Sequence, residues 1–93
     1  VTAMNGVPWW FFDRLEYGQG KLRLESLDPA GALSRAMPTE RIVGCVVHLA
    51  ASTPEPGLVS HNMGRRLILG EPGGRNGART KTVAEALGQA GFA

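Results

Sequence analysis

Arg41-Ile42-Val43-Gly44-Cys45-Val46-Val47-His48-Leu49-Ala50 is the stretch on which the fold turns. Ile42, Val43, Cys45, Val46 and Val47 form a nearly unbroken apolar run. That pattern predicts a strand covered on both faces, as in an α/β sheet. Downstream, Thr53 to Gly57 reads as a proline-rich turn. Leu58 to Asn62 and Arg65 to Gly70 then read as two strands joined around Met63-Gly64, an antiparallel hairpin. Glu71 to Ala78 is a loop rich in glycine. The last segment is an amphipathic helix: Thr82 and Glu85 have capping-box spacing, Val83 and Leu87 share a face, and Gly91 suits the stop.

Upstream, Asp28-Pro29 marks a helix start, with Asp as N-cap and Pro at the first helical position, and Pro38 ends that helix near Met37. Glu16 to Leu27 has the mixed polarity of a loop or irregular hairpin. Four of the six Phe, Trp and Tyr residues crowd into Trp9-Trp10-Phe11-Phe12, just after Pro8. Val1 to Met4 reads as the end of a buried strand, and Asn5-Gly6 after it as a tight turn. The order is therefore strand, helix, strand, β-hairpin, C-terminal helix. It describes an α/β chain with too few strands for a whole three-layer domain, its ends falling at element boundaries and its first residue not methionine.

Composition narrows the function. Ninety-three residues make one small domain, and 43% apolar with 19% charged residues is a globular balance. The single cysteine, Cys45, excludes an intrachain disulfide framework and suggests a reducing, cytoplasmic setting. The apolar run is half the length of a membrane span, so no membrane partner is expected. Ten basic against eight acidic residues leave a net charge of +2 without a basic block, which argues against nucleic acid.

The candidate sites follow. Asn5 sits at a strand's carboxyl end, where open α/β sheets bind ligands, although a plain turn explains Asn-Gly as well. His48 ends the central strand and reads either as a group at the rim of a site or as a histidine satisfied by a backbone carbonyl. His61 has no acidic or cysteine neighbour at ligand spacing, so no metal site is expected. Cys45 reads as a small buried hydrophobe, since His48, three residues along a strand, points the other way. Gly70 to Gly77 resembles a phosphate loop but lacks the Lys-Ser/Thr ending, and a solvent loop is the simpler account. Arg65, Arg66, Arg75, Arg79 and Lys81 lack interleaved aromatics, so charged edge positions are favoured over a binding patch.

Taken in order, Asn5-Gly6-Val7-Pro8-Trp9-Trp10-Phe11-Phe12, Leu24-Glu25-Ser26-Leu27-Asp28-Pro29-Ala30-Gly31, Arg41 to Val47, Pro56-Gly57-Leu58-Val59-Ser60-His61, Leu69-Gly70-Glu71-Pro72 and Ala90-Gly91-Phe92 resemble the ketopantoate reductase family (2-dehydropantoate 2-reductases), in its branch with an NGxPWW sequence. The resemblance covers essentially the whole chain. It implies the later part of a Rossmann-type NADP-binding domain, from a protein that reduces ketopantoate to pantoate for pantothenate and coenzyme A synthesis. It also implies that Asn5 contacts both cofactor and substrate, that the backbone at Ala50 meets the nicotinamide end of NADP, and that His48 supports that loop. The family's Gly-rich first turn and its catalytic lysine, carried by a helical second domain, have no counterpart here; Lys21 and Lys81 stand in the wrong contexts. The resemblance thus makes residues 1–93 an inactive piece of an NADP-dependent enzyme of a small 2-oxo acid, without a catalytic residue of its own and prone to self-association through its sheet edge and aromatic cluster. The competing reading is a self-contained anion-binding or assembly module built on the arginine-rich hairpin and loop.

Overall fold

The computed structural model describes residues 1–13, 23–74 and 77–93. A three-stranded sheet organises them, in the order β1 (Thr2–Ala3), β2 (Gly44–Glu55), β3 (Leu58–Gly70). β1 runs parallel to β2 with Thr2 opposite Gly44, and β2 runs antiparallel to β3 with Gly44 opposite Gly70. Two helices complete the set, α1 (Ala32–Ala36) and α2 (Ala78–Gln89). The α/β class expected from the sequence is the one observed. The part of the Glu16–Leu27 expectation that falls on residues 14–22, with Lys21, lies outside the described residues, as does Arg75.

Three boundaries differ from the sequence reading. β2 begins at Gly44 rather than Arg41 and continues through Thr53 and Pro54, so the turn shrinks to Pro56-Gly57, where Gly57 has φ +83°. The hairpin is thus β2 with β3, and Met63-Gly64 is no turn. Between the pairs His48–Arg66 and Ala50–Met63, β3 advances three residues while β2 advances two. The surplus residue is accommodated as a bulge, with Gly64 at φ +75°. One strand, kinked, stands where two were expected.

α1 also starts later. Ala30 (φ 55°) and Gly31 (φ 70°) break a short 3-10 turn over Pro29–Gly31 before α1 begins at Ala32. Asp28 still caps it, at longer reach: its fully buried carboxylate accepts from the backbone N–H of Leu33 (2.7 Å) and Ser34 (3.1 Å) and from the Ser34 hydroxyl. These satisfy the first-turn donors that the helix cannot pair internally. α2 begins at Ala78, four residues ahead of the expected cap. Thr82 lies inside it, with its hydroxyl donating back to the Ala78 carbonyl. Its end matches the expectation: Gly91, at φ +99°, donates to the Gly88 carbonyl, and Phe92 N–H donates to Leu87, a Schellman closure.

Ile42, Val43 and Cys45 form the buried core. α2 covers one sheet face, where Leu67 and Leu69 meet Thr80, Leu87 and Phe92 around a concavity of about 340 Å³. The other face is not covered as the apolar run led us to expect. Trp10, held in successive turns over residues 8–13, lies against Gly44, while Val46 and Ile68 beyond it remain 46% and 44% exposed. Past Val47 the β2–β3 ribbon projects with both faces in solvent. No helix among the described residues is long and apolar enough to cross a membrane.

Candidate functional site

The parallel ladder between β1 and β2 ends in a side chain. Thr2 N–H donates to the Val43 carbonyl and Met4 N–H to the Cys45 carbonyl. The next position is taken by the Asn5 amide: Oδ1 accepts from Val47 N–H (2.9 Å) and Nδ2 donates to the Val47 carbonyl (3.0 Å). The primary amide thereby stands in for a peptide group, extending the sheet by one rung while Gly6, at φ +87°, turns the main chain away. Asn5 remains exposed. One N–H and one acceptor lone pair of its amide are still uncommitted, enough to bind a carbonyl or hydroxyl just beyond the strand's carboxyl end. The Asn-Gly turn and the polar strand end are therefore one feature. The sheet-splicing role was missed because nothing local to residue 5 announces a partner 42 residues away.

His48 and Ala50 lie one and three residues past that rung, both exposed on β2. His48 faces Arg66 directly across the ribbon, and the imidazole makes no hydrogen bond to a described residue, which removes the expectation of a ring satisfied by a backbone carbonyl. Ala50 is opposite Met63, with a break in register on either side. The structure thus gathers Asn5, His48 and Ala50 along one short length of β2. It leaves Cys45 out: burial pushes that thiol up from its usual range, away from a nucleophilic thiolate. His61 sits farther out on the ribbon, its Nε2–H donating to the Gly64 carbonyl.

Among the described residues, the start of α2 is occupied from within the chain. At the start of α2, where an anion would bind, Glu71 is already installed: Oε1 accepts from Gly77 N–H (3.2 Å) and the Thr80 hydroxyl (2.9 Å), and Oε2 from Arg79 (2.9 Å). Arg79, whose guanidinium also donates to the Glu40 and Ile42 carbonyls, holds the Glu71 carboxyl below the usual carboxylate range, with Thr80 adding to the effect. Lys81 lies on α2 beside the 340 Å³ concavity, away from Asn5. Of the described members of the candidate basic patch, Arg65 and Arg66 lie on β3 and Arg79 and Lys81 on α2.

A second concavity, about 380 Å³, opens on the uncovered sheet face between Met4, Pro8, Trp10, Val46 and Ile68. It is apolar and includes none of Asn5, His48 or Ala50. Its shape reflects incomplete cover of a sheet face rather than a polar binding site.

No protein-family model matches the chain. The chain is 40% identical over 92 residues to the 2-dehydropantoate 2-reductase of Mesorhizobium japonicum, covering 99% of this chain and 28% of that protein. Its structure superposes with a TM-score of 0.86 on a crystal structure from Ralstonia solanacearum MolK2 ascribed to the ketopantoate reductases, at 52% identity, covering 97% of this chain and 28% of that one. The chain therefore spans little more than a quarter of the length of either relative.

Proposed function

Because the chain belongs, over the segment it spans, to the ketopantoate reductase family, we propose that it forms part of an NADPH-dependent oxidoreductase that converts 2-dehydropantoate to pantoate. Support comes chiefly from Asn5, which the fold sets at the carboxyl end of β1 with half its amide capacity free, where an α/β sheet meets its ligands. When bound, NADPH supplies the hydride. Asn5 donates its spare N–H and offers its spare lone pair, fixing cofactor and substrate relative to the sheet. The exposed backbone at Ala50 meets the nicotinamide end of the cofactor, a contact that asks nothing of the methyl side chain. His48 shapes the same length of strand. The proton for the new hydroxyl comes from a lysine outside these 93 residues, as the family resemblance implies, so residues 1–93 alone are inactive. With Val46, Ile68 and Phe11 open to water, the isolated chain also self-associates.

The test is a transplant. The matching 92 residues of the Mesorhizobium japonicum reductase are replaced by this chain, and NADPH oxidation is followed with and without ketopantoate. Ketopantoate-dependent turnover in the chimera supports the proposal. A folded, monodisperse chimera that neither binds NADPH nor turns over refutes it. Light scattering of the free chain over a range of concentrations tests the self-association: a constant monomer mass removes that part.

A further inference from the structure

We propose that His61 is a positioning residue for the cofactor end of the site, acting through the bulge at Gly64 on the backbone from His48 to Ala50. The inference rests on the reading that this backbone lies against the cofactor. Its geometry is independent of that reading.

Gly64 is pressed onto β2. A Cβ at its position would lie 2.6 Å from the His48 carbonyl oxygen and 3.1 Å from the Leu49 Cα, so the bulge and the His48–Leu49 peptide have no slack between them. A bulge takes backbone groups out of the ladder and leaves their placement to other partners. Here the partner is local: the Nε2–H of His61 donates to the Gly64 carbonyl, closing a short loop over Asn62 and Met63 that ends on the bulge. His61 is itself registered against Ala51, next to Ala50, and Ala50 against Met63, the paired residue that borders the bulge. The ring thus holds the bulge from one side while the bulge bears on the strand from the other. A contact made by backbone has no side chain to re-aim if the strand shifts, and small displacements of a binding group are costly to alignment. No metal or acid–base task is needed to explain a histidine here. A ring that is rigid and carries one donor is enough.

The experiment uses the full-length protein that carries this segment, with His61→Phe, which keeps the ring and removes the donor, and His61→Gln, which restores a donor. Two quantities are read: the amide resonances of Leu49 and Ala50 without cofactor, and KM for NADPH beside kcat and KM for ketopantoate. For His61→Phe the expectation is displaced Leu49 and Ala50 resonances and a KM for NADPH raised about five- to tenfold, the scale of one lost hydrogen bond. kcat at saturating NADPH and KM for ketopantoate stay within twofold of wild type. His61→Gln recovers both signals. Unmoved resonances overturn the role of His61, whatever the kinetics. Displaced resonances with an unchanged KM for NADPH overturn the reading that this backbone meets the cofactor, and the proposal with it. Should His61→Phe fail to fold, His61→Ala takes its place under the same criteria.

Discussion

Replacing Asn5 probes the joint between structure and function. The Asn5 amide makes two hydrogen bonds to one peptide unit, at 2.9 and 3.0 Å, and Asn5→Ala removes both. Each contributes roughly 1 kcal/mol net, and water reaches this edge to replace them, so the loss comes to about 1–2 kcal/mol. A loss of that size makes local opening of the rung about 5- to 30-fold more frequent. Native-state hydrogen exchange at the Val47 amide reads it directly, with the Met4 amide, bonded to the Cys45 carbonyl, as the neighbouring control. Asn5→Asp separates the two bonds. Its carboxylate still accepts from Val47 N–H but sets a second oxygen against the Val47 carbonyl where Nδ2 now donates. Val47 exchange is therefore faster than wild type at neutral pH. Below a carboxyl pKa of about 4 the protonated acid donates again, and the difference narrows after correction for intrinsic rates. Val47 exchange in Asn5→Ala within twofold of wild type would show that the amide is not part of the sheet.

Gly44→Ala sets a methyl 2.8 Å from Trp10 Cη2, and the ring must lift from the sheet. A cost of about 1–3 kcal/mol is expected, seen as a lower urea midpoint with red-shifted tryptophan emission, and an unchanged midpoint and spectrum would contradict the packing described. Acid should loosen the start of α2. The folded-state pKa of Glu71 lies below its ordinary value of 4.5, so its contribution is fully present above that value and fades as pH falls through the folded-state pKa. Glu71→Gln should be less stable than wild type at neutral pH and lose less between pH 5 and 2. Parallel stability curves for the two proteins would disprove the capping role.

What the sequence disclosed, and what it hid, follows the range of the interactions. The apolar run from Ile42 to Val47 identified the central strand because burial leaves a local mark, and Gly91 gave the end of α2 because a left-handed C′ residue is a property of one position. Thr82 and Glu85 misled: the capping-box spacing was present, but Glu71 reaches the helix start from across a loop and moves it forward to Ala78. Asp28 misled more gently, since it caps the expected helix from beyond an unexpected break. Met63-Gly64 carried a turn signal because a bulge and a turn ask the same conformation of glycine. The place of Asn5 was legible as a strand end. Its bonds to Val47 were not, since only the folded sheet brings the two together. The same apolar run predicted cover on both faces, whereas the described residues cover one face and a corner of the other.

The splice at Asn5 also has a place in time. β2 and β3 are joined by a tight turn, and such ribbons zip in about 1–10 μs. The rung between Asn5 and Val47 instead closes a loop of 42 residues, whose chain entropy is lost before any contact repays it. On this ordering the ribbon with His48 and Ala50 forms early, and the amide that completes the strand end arrives late. Refolding followed at single amides should then show Val47 and Met4 gaining protection after the ribbon does, so that completion of this strand end marks the finish of folding rather than an intermediate stage.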